Sequence, residues 1–250
     1  MAKSKRTKPA AKRASTPKPA AAKPKPVTVA SKKSTRPTIA LPPPPPPPPA
    51  MRDEMIAPRD VSRLLRYGER FGPHKIDVRM LPLQLPVHGS GLAMFDPGAP
   101  KSWRVFDRPI GVGQFRVMLS IAQNDGREEL AAIVIHVGRP PISTWTVAHF
   151  AGSKKPKSAD QLPRCAVTTG WIALMDAGSD GDTPGVIATP AASGITPIEC
   201  PLTDGRRALA LPCGNGDYAA YWAVDAADKP VCLVVDFDVF TQKEWRARPT

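Results

Sequence analysis

The chain is poor in the features that announce many functions. It holds four cysteines in 250 residues, Cys165, Cys200, Cys213 and Cys232, and no two of them form a Cys-x-x-Cys pair. Without such a pair, and with no histidine spacing suited to a tetrahedral site, no metal centre is expected. No apolar run reaches the roughly 18 residues that a membrane-spanning helix needs, so no membrane segment is expected. The basic N-terminal stretch has no apolar segment of the kind a secretory signal carries. Motif chemistry is equally sparse. "GVGQF" (111–115) lacks the Lys-Ser/Thr end of a phosphate loop, and "HGSG" (88–91) is not a nucleophile elbow. "DAGSDGDTPGVI" (176–187) has Ile187 where a calcium loop puts its bidentate Glu, which excludes an EF-hand. No cofactor is expected. The thiols read as reduced and the location as cytoplasmic, with nucleoid association as the variant that the N-terminus suggests.

What is present begins with charge. Residues 1–50 contain no acid and no aromatic residue, but nine Lys and three Arg: Lys3, Lys5, Arg6, Lys8, Lys12, Arg13, Lys18, Lys23, Lys25, Lys32, Lys33 and Arg36. The rest of the chain holds 23 basic against 22 acidic residues, so the net charge of +13 belongs almost wholly to this tail. With Ala, Pro, Ser and Thr for company, the tail cannot bury enough apolar surface to offset the entropy of ordering, and it is expected to be disordered. Its composition is like that of the lysine-rich tails of linker histones. Cations so placed neutralise phosphates and release counterions, which points to DNA or RNA bound without sequence preference. A purely solubilising tail is the plainer alternative. Pro42–Pro49 are eight consecutive prolines, a polyproline II rod of roughly 25 Å. It suits a stiff spacer, or a ligand for SH3-type domains.

The composition changes near Pro58, and a single β-rich domain is expected over 55–245. "PRDVSRLLRYGERF" suggests a short helix capped by Asp60 and ended by Gly68 and Gly72. Strand-like runs follow at 91–97, 115–123, 130–137, 165–176, 217–225 and 231–240, separated by turn residues. "NDG" and "DAADKP" read as hairpin turns. "STWTVAHFA" (143–151) reads as a second short helix, and 176–207 as a long surface loop. The expected fold is mainly β, an antiparallel sheet or sandwich with one or two short helices.

Five stretches now stand in order: "GSGLAMFDP", "IGVGQFRVMLSIAQ", "AAIVIHVGRPPISTWTVA", "VTTGWIALMD" and "LPCGNGDYAAYWAVDAADKPVCLVVDF". In that order, over about residues 80–240, they resemble the bacterial family known as domain of unknown function 4241. Two positions depart from its pattern. Cys213 stands where the family has Ser before Gly-x-Gly-Asp, and Asp217 is followed at once by Tyr218 where a second Gly is usual. That family has no established activity, so the resemblance implies a fold and a lineage, and no reaction.

Four residues are candidates for chemistry. Asp96 and Asp176 end strand-like runs that begin with Gly, and Asp217 follows Gly214 and Gly216. Converging at one end of a sheet, the three would suit a divalent cation or acid–base work. Strand-end Asp residues are also ordinary turn formers, and Gly214, Gly216 and Asp217 together read as a structural turn. Cys213 would be a nucleophile if His136 or His149 approached it. The five Trp residues, Trp103 among them, read as core anchors and not as a base-stacking platform.

The leading functional reading is an interaction module that binds a protein partner through the β domain and nucleic acid through the tail. Its alternative is a carboxylate-dependent hydrolase or transferase, metal-assisted or not, using Asp176 and Asp217. In a third reading the tail alone carries the function. Residues 55–250 alone are expected to have a thermal melting midpoint, followed by circular dichroism, within a few degrees of that of the full chain. A larger drop would give the tail a role in folding.

Overall fold

Alternating apolar runs fold as strands because a strand turns successive side chains to opposite faces, so one run can supply two cores. The computed structural model describes residues 50–51, 59–89, 91–158, 161–178, 184–190, 194–202 and 204–247. The chain divides into two units, Met1–Pro45 and Pro46–Thr250. All described residues lie in the second. The expectations made for the basic tail and the polyproline run lie outside them.

Among the described residues a 3₁₀ turn (Val61–Leu65), one α-helix and fourteen strands are formed. The strands are β1 (Ala50–Met51), β2 (Arg70–Phe71), β3 (His74–Val87), β4 (Leu92–Asp96), β5 (Ala99–Val105), β6 (Gly113–Asn124) and β7 (Arg127–His136). After them come β8 (Thr144–Val147), β9 (Arg164–Val167), β10 (Trp171–Asp176), β11 (Ile198–Pro201), β12 (Arg207–Pro212), β13 (Gly216–Val224) and β14 (Pro230–Asp236), and the helix α1 (Gln242–Arg246) closes the series. One sheet has the order β1-β8-β13-β14-β7-β6-β3-β2, with β9 paired to the first half of β13; the other has the order β11-β12-β10-β4-β5. Among these strands only β1 and β8 pair in parallel. The architecture is thus the mainly antiparallel β fold that the alternation leads one to expect.

The two sheets share one core. Leu92 and Met94 of β4, Ile172 and Leu174 of β10 and Leu209 of β12 meet Val117, Ile133, Trp222 and Leu233 of the larger sheet. The intervening residues of the larger sheet, such as Met118, Val134, Tyr221 and Val234, turn outward into a second core, which the 3₁₀ turn and α1 cover with Leu64, Phe240 and Trp245. Phe71 stacks on Phe240 at 4.1 Å. The buried Arg63 ties this layer together. Its guanidinium donates to Glu69 and to the backbone carbonyls of Trp245 and Arg70, and it lies 4.1 Å over the Phe71 ring. With its donors satisfied in this way, the buried cation avoids most of the cost of leaving water.

Both expected hairpins form. Asp125 and Gly126 adopt positive φ (47° and 79°) between β6 and β7, the backbone that an Asp-Gly turn supplies. Between β13 and β14 the Asp225 carboxylate accepts from the N–H groups of Ala227 and Lys229 at 2.8 and 2.9 Å. Other expectations need correction. The stretch 143–151 is not a helix: it contains β8, whose Trp145 and Val147 enter the outer core opposite Ala223 and Tyr221 of β13. Tertiary burial of alternate residues overrides the weak cap signal there. The helix expected at 61 is a single 3₁₀ turn, and Asp60 makes no capping bond because its carboxylate accepts from the Ser62 hydroxyl. The expected loop 176–207 contains β11. Helix α1 was legible in principle, since Thr241 and Glu244 form a reciprocal capping box.

Trp222 is fully buried and meets Phe106 edge-on at 5.8 Å. Trp222→Ala is expected to destabilise the fold by about 3–5 kcal/mol, read from the urea midpoint. A loss below about 1 kcal/mol would place the centre of the core elsewhere.

Candidate functional site

The sequence nominated three carboxylates for one end of a sheet, and the register separates two of them. Strands β4 and β10 are antiparallel with Asp176 opposite Leu92. Asp96 therefore lies four residues along the strand, about 13 Å from the level of Asp176. The two acids sit at opposite ends of the same pair and cannot form one site.

Each is engaged where it stands. Asp96 is fully buried. One oxygen accepts from the Thr168 and Thr169 N–H groups (2.7 and 3.0 Å) and the Thr168 hydroxyl; the other accepts from the Gly98 N–H and the Thr169 hydroxyl. Burial opposes ionisation of Asp96, but these donors outweigh it and hold the pKa below the ordinary carboxylate value. Asp176 accepts from the N–H groups of His88, Gly89 and Gly178 at 2.9–3.2 Å. Both are clamps that hold the chain at strand ends.

The "CGNGD" segment divides its work. Gly214 holds φ at +81°, in the region that side chains resist. The N–H groups of Cys213 and Gly214 donate to the Gly170 carbonyl, and the Tyr218 hydroxyl donates to the carbonyls of Cys213 (3.0 Å) and Gly214 (3.1 Å). Gly216 is needed for a different reason. It does not share the positive φ, but a Cβ there would lie 2.9 Å from the Tyr218 ring. Asp217 corrects the expectation of a turn carboxylate: it is a β13 residue opposite Ala166, exposed, and among the described residues nothing hydrogen-bonds its carboxylate. Burial pushes the Cys213 thiol up to about 12, and the Tyr218 hydroxyl pulls the other way without reversing the shift. A thiol of that kind is protonated at neutral pH and is a poor nucleophile. Among the described residues no hydrogen bond from a histidine reaches it. Nor is any group of three or more His, Cys, Asp or Glu arranged there to hold a metal ion. No helix among them is long and apolar enough to cross a membrane.

The sequence did not single out a groove of about 700 Å³ between β5 and the residues 150–154 and 161–164. Its lining includes Arg104, Phe150, Ser153, Lys154, Gln161 and Arg164, and among the described residues no carboxylate. The Arg104 guanidinium donates through Nη1 to the carbonyls of Trp103 (2.8 Å) and Lys101 (3.3 Å). That of Arg164 donates, also through Nη1, to the Asp217 carbonyl (2.8 Å) and the Asp238 carboxylate (3.2 Å). Asp238, at φ +56°, also accepts from Arg59, which in turn donates to the buried Asp236 at 2.9 Å. Burial raises the Asp236 pKa, and Arg59 opposes that rise in part. A visible signal for the groove was "SKKPKS" (153–158), a lysine run in an otherwise balanced region.

Asp96→Asn turns an N–H₂ toward backbone donors and is expected to cost about 2–3 kcal/mol. Asp217→Asn is expected to leave the urea midpoint unchanged. If Asp217 instead served catalysis with Asp176, Asp217→Asn would keep its stability and lose an activity.

Compared with known proteins, the chain matches no family model, no curated protein and no solved structure.

Proposed function

We propose that this chain is a cytoplasmic interaction protein whose β domain binds a protein partner while its basic tail holds nucleic acid without reading sequence. The observation that carries the reading is the state of the acids. Asp96 and Asp176, two of the carboxylates that the sequence offers for chemistry, are committed to backbone donors at opposite ends of β4 and β10. A hydrolase or transferase using Asp176 and Asp217 would have to draw Asp176 away from three N–H groups. Support for the nucleic-acid role comes from charge alone: twelve cations and no acid in residues 1–50. Kinship with the family named domain of unknown function 4241 belongs to the same proposal and rests on the order of its five motifs.

The test is binding of a labelled mixed-sequence DNA by the full chain, followed by fluorescence anisotropy. Affinity is expected to fall by about 10³-fold or more between 50 and 200 mM salt, the scale for six or more phosphate contacts. It is also expected to be the same for scrambled sequences. Binding that ignores salt, or that survives conversion of the twelve tail cations to Gln, would overturn the assignment to the tail.

A further inference from the structure

Outside the tail the charges nearly balance, yet they are not evenly mixed. The groove between β5 and the residues 150–154 and 161–164 brings Arg104 together with Lys154 and Arg164, fifty or more residues further along the chain. The two arginines share a construction. Each is anchored through Nη1 to backbone carbonyls, Arg104 to Lys101 and Trp103 and Arg164 to Asp217. Among the described residues no hydrogen bond uses Nε or Nη2 of either, so each presents a pre-positioned donor edge. Asp238 offsets part of the Arg164 charge. Lys154 is exposed, and no carboxylate among the described residues pairs with it. Gln161 spends its oxygen on the Lys157 N–H (3.1 Å), which leaves its amide N–H₂ as a donor. The Ser153 hydroxyl adds one more.

We propose that this groove binds the phosphate groups of a ligand, independently of the tail. The described lining offers three cations and N–H donors against the one carboxylate of Asp238 that pairs with Arg164, a balance that favours an anion, and the free forks of the two arginines match phosphate oxygens in a two-point contact. Three cations exceed what a single carboxylate would balance, whereas phosphates carry enough charge and enough acceptors to engage all three. The volume of about 700 Å³ falls in the range of small-ligand sites. The shared phosphate chemistry is that of a single-stranded phosphodiester chain or a free phosphate ester, which the test below separates.

The full chain is labelled with lysine- and arginine-selective reagents, with and without (dT)₈ or inorganic pyrophosphate, and modification is read residue by residue by mass spectrometry. The groove ligand is expected to slow modification of Arg104, Lys154 and Arg164 together. Lys154→Glu, at an exposed position where folding is not at stake, is expected to weaken that protection about tenfold or more. It is expected to leave protection of the tail lysines by (dT)₈ unchanged. Protection by (dT)₈ alone identifies a polymer ligand; protection by pyrophosphate as well identifies a free phosphate. Protection confined to the tail, or groove protection unaffected by Lys154→Glu, would overturn the proposal. Groove protection without tail protection would uphold it and count against the tail assignment instead.

Discussion

Strand β13 has no face turned to water along most of its length. From Tyr218 to Val224 its even-numbered residues enter the core between the sheets, and Ala219, Tyr221 and Ala223 enter the core beneath the 3₁₀ turn and α1. Burial of that extent on a single strand is worth several kcal/mol for the aromatic side chains alone, but it requires cover on both sides. The smaller sheet supplies one cover. The layer fastened by Arg63, Phe71 and Trp245 supplies the other. Pairing is divided in the same economical manner: β9 takes the first half of one β13 edge and β8 the second half. The elements around the strand are placed to satisfy its backbone and to exclude water from its side chains.

The same requirement explains how the polar residues are used. A chain leaving the end of a buried strand exposes N–H groups that must find acceptors. Asp96 and Asp176 meet that need at opposite ends of the smaller sheet, and the carbonyls around Gly214 meet a similar need of the Tyr218 hydroxyl. Asp96 and Asp176, which look chemically capable in the sequence, are therefore occupied in holding the frame, whereas among the described residues Asp217 stands free on β13. Cationic donor edges are left free in the groove beside β5 and β9.

How much of this could be read from the residues follows from distance along the chain. The β6–β7 and β13–β14 hairpins were legible because "NDG" and "DAADKP" carry their own turn chemistry, and the two faces of β13 were legible from its alternation. Strand β8 was not, because "STWTV" becomes a strand only where the second half of β13 offers an open edge. Strand β3 mixes Lys, Arg and Pro with its apolar residues, and a bulge between Met80 and Gln84 breaks its period. Asp96 and Asp217 look alike in sequence, each within two residues of a glycine, and differ completely in surroundings. The groove was the least legible, since Arg104 and Arg164 stand on strands of different sheets and Lys154 lies in the connection between β8 and β9.

The buried pair of Arg59 and Asp236 has a consequence for the behaviour of the domain in acid. Asp236 holds its proton more tightly in the folded state than in the unfolded state, so its contribution grows as pH falls through its raised pKa. Asp96 does the reverse: its contribution is complete above the ordinary carboxylate pKa and drains away only below it, through its lowered pKa. Acidification therefore meets the stabilising titration before the destabilising one. The two carboxyls pull the pH dependence of the fold in opposite directions: protonation relieves the burial cost of Asp236 and removes the donors' hold on Asp96.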